Sequence, residues 1–236
     1  MRLRIGVVQF PGSNDERDAV WALEQLGADA ELLWHGDAGL RDVDAVVLPG
    51  GFSYGDYLRC GAIARFSPVM GSVVAFANEG GLVLGICNGF QVLCEAGLLP
   101  GALVRNAGLS FVCEPVQVRV ETNEIPFLAR AEPGDVLTIP IKHGEGRYVA
   151  DPAALTEMED NGQIVLRYTD LMGEVTEEAN PNGATDNIAG VCNVDGNVFG
   201  LMPHPEHAVD ASAGIRSADG ALILGSLIDA AIGAEA

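Results

Sequence analysis

Over the first hundred residues, short apolar runs alternate with stretches of helical periodicity. Arg4 to Phe10 reads as a strand. Ser13-Asn14-Asp15-Glu16 offers a capping box, and Val20, Leu23 and Leu26 mark the inner face of a helix that ends at Gly27. Ala30 to Leu33 and Ala45 to Leu48 read as strands, the second running into Pro49-Gly50-Gly51. A helix near Val69 to Glu79 stops at Gly80-Gly81, and the apolar run Leu82 to Ile86 follows. Such β-α-β alternation predicts an α/β fold: a doubly wound, mainly parallel central sheet flanked by helices, with functional groups at the carboxyl ends of the strands. The later half changes character. Val112, Val116, Val118 and Val120 alternate with polar residues, as in a half-solvated antiparallel strand, so an antiparallel extension is expected. Asn161-Gly162 and Asp195-Gly196 read as hairpin turns. Leu224, Leu227, Ile228 and Ala231 give the inner face of a last helix. With no internal repeat or linker, one domain over residues 1–236 is expected.

Composition narrows the function classes. A formal charge of −20 speaks against a nucleic-acid partner, because binding phosphates needs a basic surface. Lys142 is the only lysine, and an excess of carboxylates with almost no lysine resembles proteins from salt-rich cytoplasm. Five cysteines at 60, 87, 94, 113 and 192 form no zinc-like spacing and no disulfide framework, so no metal is expected and a reduced, cytoplasmic protein is. No segment approaches the ~20 apolar residues that span a bilayer.

The candidate chemistry centres on Gly85-Ile86-Cys87-Asn88-Gly89. A strand, a sharp turn flanked by glycines and a helix N-terminus form the layout of a nucleophile elbow, here displaying a thiol. A thiol with an ordinary pKa of about 8.5 is mostly protonated at neutral pH, so Cys87 needs a base. His204 in Met202-Pro203-His204-Pro205-Glu206 is the candidate. The prolines predict an extended run, in which Glu206 points the same way as His204, roughly 6.6 Å further along, and orients the ring. The N–H of Asn88 is one candidate oxyanion donor, and Gly50-Gly51, at the end of the preceding strand, can bring a second N–H close. Cys94, Cys113 and Cys192 read as buried packing, Cys60 as more ambiguous, and His35 as a surface or boundary residue. Lys142-His143-Gly144-Glu145-Gly146-Arg147-Tyr148 reads as a polar, Gly-rich loop that a solvated turn explains.

Gly-x-Cys-x-Gly-x-Gln followed far downstream by His-x-Glu resembles the class I, triad glutamine amidotransferases, whose fold is flavodoxin-like. The block from Gly50 to Ala64, GGFSYGDYLRCGAIA, together with Leu98 to Ala102, His143-Gly144-Glu145-Gly146 and Gly196-Asn197, is similar to the PurQ-type glutaminase subunits of phosphoribosylformylglycinamidine synthases. The resemblance implies that Cys87 attacks the side-chain amide of L-glutamine, with His204 as proton shuttle and Glu206 as its orienter. It implies oxyanion N–H groups at Gly51 and Asn88, and a substrate-holding Gln91. No cofactor is implied in this chain. Ammonia would pass to a separate PurL-type synthetase subunit that uses ATP and Mg, with a small PurS-type subunit completing the complex in purine synthesis. One departure is His207, where the family commonly has arginine. Competing readings are a glutaminase serving another synthetase, a cysteine protein with a thiol at the elbow and no need of the histidine, and a non-catalytic module.

Overall fold

The computed structural model describes residues 3–233. In chain order its elements are β1 (Arg4–Gln9), α1 (Glu16–Gln25), β2 (Asp29–Trp34), β3 (Ala45–Leu48), α2 (Pro68–Asn78), β4 (Leu82–Ile86), α3 (Asn88–Glu95), β5 (Ala102–Val104), β6 (Val112–Val120), β7 (Val136–His143), β8 (Arg147–Val149), α4 (Pro152–Asp160), β9 (Ile164–Thr169), β10 (Ile188–Cys192), β11 (Val198–Leu201) and α5 (Gly220–Gly233).

Among the described residues, nine strands form one sheet in the order β2-β1-β3-β4-β11-β10-β9-β6-β7, and β5 pairs with β8 apart from it. The strands from β2 to β11 in that order are mutually parallel, and the pairs from β11 onward are antiparallel. The α/β class and the antiparallel extension thus stand as expected. The apolar runs of β3 and β4 are buried along their whole length, as central parallel strands covered on both faces must be. Strand β7 instead alternates half-buried and buried positions.

Register is what assembles the site. Leu48 pairs with Gly85 and Leu201 with Ile86, so β3, β4 and β11 end side by side. The Cys87 N–H donates to the Leu201 carbonyl at 2.8 Å, joining the elbow to the segment that carries His204.

Four expectations are corrected. Asp15 stands at the N-cap of α1 but its side chain caps nothing; buried, it turns into the site, and Ser13 Oγ accepts from Phe10 N instead. Asn161-Gly162 closes the C-terminus of α4, where Gly162 takes φ +66, and leads into β9: a helix stop uses the same left-handed glycine as a hairpin. Only Asp195-Gly196 joins two paired strands, β10 and β11. The 142–148 stretch is not a solvated loop, since Lys142 and His143 finish β7 and Arg147 and Tyr148 open β8. Cys113 is exposed, because the first half of β6 pairs with β7 alone while β9 reaches only Gln117 to Val120.

Candidate active site

Cys87 sits between β4 and α3 at φ +50, ψ −104, a conformation that costs about 1–3 kcal/mol and persists only where surrounding structure enforces it. Neighbouring packing does so. A Cβ on Gly89 would collide with the Leu48 carbonyl, and one on Gly85 with Leu93 and the Gly89 backbone. These glycines permit close approach; the left-handed turn itself falls on the cysteine. Its sulfur is buried, 3.9 Å from the Lys142 carbonyl.

His204 is fully buried. The extended run stops there: Pro205–His207 forms a single 3-10 turn, Pro205 fitting its first position, and the turn folds Glu206 back onto the ring. His204 Nδ1 lies 2.6 Å from Glu206 Oε1, while the backbone N–H of His204 donates to the Pro140 carbonyl at 2.8 Å. Nε2 makes no hydrogen bond. It nevertheless lies close enough to Cys87 for the sulfur to act on the charge of the ring. Burial alone would lower the His204 pKa, but the charges of Glu206 and Cys87 outweigh it and push it up to about 10. The direction favours an imidazolium at His204.

A cavity of about 190 Å³ opens over the sulfur, walled by Gly51, Phe52, Asp56, Cys60, Gln91, Phe111, Lys142, His143, Gly144 and Glu145. A recess of about 50 Å³ shares Gly51, Cys87 and Lys142 with it and reaches Asn14, Asp15 and His204. Gly51 takes φ +142, and a Cβ there would strike the Asn14 nitrogen and the Gly12 carbonyl. Its bridge to Ser13 is made by the N–H groups of Asn14 and Phe52, not by its own. Gln91 lines the cavity, yet both ends of its amide engage protein: Nε2 donates to the Glu145 carbonyl at 2.6 Å and Oε1 accepts from Asn88 Nδ2 at 2.8 Å. A larger cavity, about 310 Å³, lies behind Lys142, Glu206 and His207 and does not reach Cys87. The reactive sulfur therefore belongs to the smaller spaces.

The comparisons agree with this geometry. A family model described as a CobB/CobQ-like glutamine amidotransferase domain matches residues 2–220. A protein of Rubrobacter xylanophilus named phosphoribosylformylglycinamidine synthase subunit PurQ is 58% identical over 96% of this chain and 98% of its own length. A protein of the same name from Salinibacter ruber is 56% identical over 97% of each chain. The solved structure of PurLQS from Thermotoga maritima contains a chain 43% identical, covering 97% of this chain and 99% of that one, with a TM-score of 0.84. The chain belongs to the PurQ family of glutamine amidotransferases. A glutamine amidotransferase structure from Thermotoga maritima, 16% identical over 90% of this chain and 79% of that one, has a TM-score of 0.56 and shares the fold alone.

Within this PurQ-family chain, several groups at the site were not singled out from sequence. Asp15 Oδ2 stands 3.7 Å from His204 Nδ1, as a second carboxylate beside Glu206. Burial opposes its charge, but contacts with His207, His204 and Lys142 hold it well below the ordinary carboxylate range. Lys142 Nζ donates to Asp15 Oδ1 and lies 3.0 Å from His207 Nε2. The donor atoms of Asp15, His204, Glu206 and His207 converge, but the ammonium of Lys142 already supplies the cation for Asp15 and His207, so the arrangement does not fit a metal centre. The sequence signal for Lys142 was its solitude; for Asp15 there was none beyond a cap motif.

The other thiols separate from Cys87. Cys60 is buried and donates to Glu145 Oε2 at 3.1 Å; burial and the charges of Asp56 and Glu145 push its pKa far up, which makes it inert. Cys192 is buried and Cys94 packs half-buried on the core, as expected. His35 is a boundary residue, its Nδ1 2.9 Å from the Tyr54 hydroxyl. Among the described residues no helix is long and apolar enough to cross a membrane.

Proposed function

We propose that Cys87, His204 and Glu206 carry out the glutaminase half-reaction of phosphoribosylformylglycinamidine synthase. The observation that supports it best is the convergence of a strained, buried cysteine with a histidine whose Nδ1 is held 2.6 Å from a buried carboxylate. The thiolate of Cys87 attacks the side-chain amide carbon of L-glutamine, and the carbonyl electrons move onto oxygen. The backbone N–H groups of Gly51 and Asn88 receive that oxyanion. His204 gives its Nε2 proton to the departing nitrogen, releasing ammonia and leaving a glutamyl thioester. His204 then takes a proton from water, which attacks the thioester; glutamate leaves and the thiolate is restored. Gln91 frames the pocket and orients the substrate from its wall, and the chain works as one domain.

The chain is the ammonia-supplying subunit in purine synthesis. Its partner is a PurL-type synthetase, in which ATP and Mg activate formylglycinamide ribonucleotide for attack by ammonia, and a small PurS-type subunit completes the complex. The test is amidine formation by the assembled complex. Cys87→Ala and His204→Ala abolish synthesis from glutamine, by about 10⁴-fold or more, and leave synthesis from added ammonia intact. Loss of both activities, or loss of neither, contradicts the assignment.

A further inference from the structure

Twelve of the thirteen basic side chains are arginines, and the one lysine, Lys142, stands at the active site. An arginine fork is broad and planar, whereas an ammonium is a compact point charge that fits between a carboxylate and a ring nitrogen. That is the position it occupies. Its Nζ bonds Asp15 Oδ1 and lies 3.0 Å from His207 Nε2, and its side chain is 32% exposed toward the cavities that also contain Cys87.

Two carboxylates compete for one proton on His204. Nδ1 lies 2.6 Å from Glu206 Oε1 and 3.7 Å from Asp15 Oδ2, and an N–H serves only one of them well. Asp15 is buried, and a buried carboxylate without a cation is costly. We propose that Lys142 is a positioning residue: its ammonium neutralises Asp15, so the Nδ1–H of His204 keeps donating to Glu206 and the Cys87 thiolate keeps a second compensating cation. The inference rests on Cys87 and His204 being the catalytic pair.

The surrounding charges fix its sign. Asp15 and Asp18 face the cluster from the start of α1, Lys142 and His143 from β7, Tyr168 from β9, Glu206 and His207 from the turn after β11, and Asp56, Cys60 and Glu145 from the wall of the cavity over Cys87. Burial lowers the pKa of His143 to about 4 and raises that of Tyr168, so both are neutral near pH 7. Lys142 is thus a cation that faces Asp15 in addition to the His204 ring. Removing it makes the site more negative and the thiolate harder to form.

The test uses the full chain assembled with its synthetase partner. Glutamine-dependent turnover and iodoacetamide modification of Cys87, read by peptide mass spectrometry, are followed against pH. Lys142→Met moves the acid limb of both profiles upward by about one pH unit. Asp15→Asn moves it downward, and the charge-balanced double variant returns it toward wild type. Lys142→Arg keeps the charge without the compact fit and moves the limb upward by less than Lys142→Met does. Ammonia-dependent synthesis checks assembly, and if Lys142→Met does not assemble, Asp15→Asn alone decides by the direction of its limb. Limbs that stay in place, or that move the same way in both single variants, overturn the role given to Lys142. Cys87→Ala separates the two failures: normal turnover of glutamine by that variant removes the catalytic pair itself, whereas an inert variant beside unmoved limbs removes only Lys142.

Discussion

Strands β3, β4 and β11 deliver their residues to the site directly, each strand ending beside the next, so that Gly51, Cys87 and His204 meet by register. The antiparallel half contributes differently. Strand β7 lies at the far edge of the sheet, yet its last residues, Lys142 and His143, reach the site because the Pro140 carbonyl accepts from the His204 N–H at 2.8 Å. The parallel half carries Gly51, Cys87 and His204, the groups of the proposed reaction, and the antiparallel half adds Lys142 and His143 to the wall and charges around them. The parallel half therefore depends on close backbone packing, and the antiparallel half on a buried polar network.

That network is dense. His143 Nδ1 lies 3.0 Å from Asn106 Oδ1, which also accepts from the Gly146 N–H at 3.0 Å, and Asn182 Nδ2 donates to the Gly146 carbonyl at 3.0 Å. It holds the short turn whose Glu145 carbonyl accepts from Gln91. A satisfied buried network rigidifies its surroundings and leaves little tolerance for a missing member.

The contrast can be broken at three places. Gly89→Ala drives a Cβ into the Leu48 carbonyl, a backbone atom that cannot swing aside, and is expected to cost about 3 kcal/mol of stability in a denaturant titration. A wild-type midpoint would show that the elbow is looser than its packing indicates.

His143 gives a pH-dependent test of the other half. Its ordinary value is 6.5 and its folded value is about 4, so the unfolded chain binds the proton first as pH falls. Stability from this group is complete above pH 6.5 and is lost between 6.5 and 4, to the extent of about 3 kcal/mol at 1.36 kcal/mol per unit. His204, raised to about 10, acts in a separate window: its contribution is complete below 6.5 and disappears as pH rises toward 10. In a melting series, His143→Gln flattens the 4 to 6.5 window and leaves the alkaline one unchanged. A slope that persists below 6.5 places the acid sensitivity elsewhere.

The smallest effect is expected far from both. Gly162 has open space around its Cα but takes φ +66, so Gly162→Ala costs about 1 kcal/mol through backbone strain alone and leaves glutamine turnover untouched. Loss of turnover in that variant would tie the α4 end to the site.

The same contrast explains what was legible in the sequence. The elbow announces itself because strand, cysteine and helix are contiguous, and His204-Pro205-Glu206 because orienter and base are two residues apart. The parallel strands were legible as apolar runs. Asp15 and Lys142 were not paired because 127 positions separate them, and each has a plausible local explanation, a cap and a solvated turn. Asn161-Gly162 misled because a helix stop and a hairpin ask the same backbone conformation of glycine. Cys113 misled because an apolar neighbourhood in sequence does not reveal which half of a strand lacks a second partner.

The most direct measurement traps the nucleophile. The assembled complex is treated with an electrophilic glutamine analogue, and each of this chain's five cysteines is examined by peptide mass spectrometry. The expected adduct is on Cys87 alone, blocked by glutamine and slowed at least tenfold in His204→Ala. An adduct on buried Cys60 or exposed Cys113 instead, or labelling of Cys87 at an unchanged rate without His204, would contradict a thiolate held ready by that imidazole.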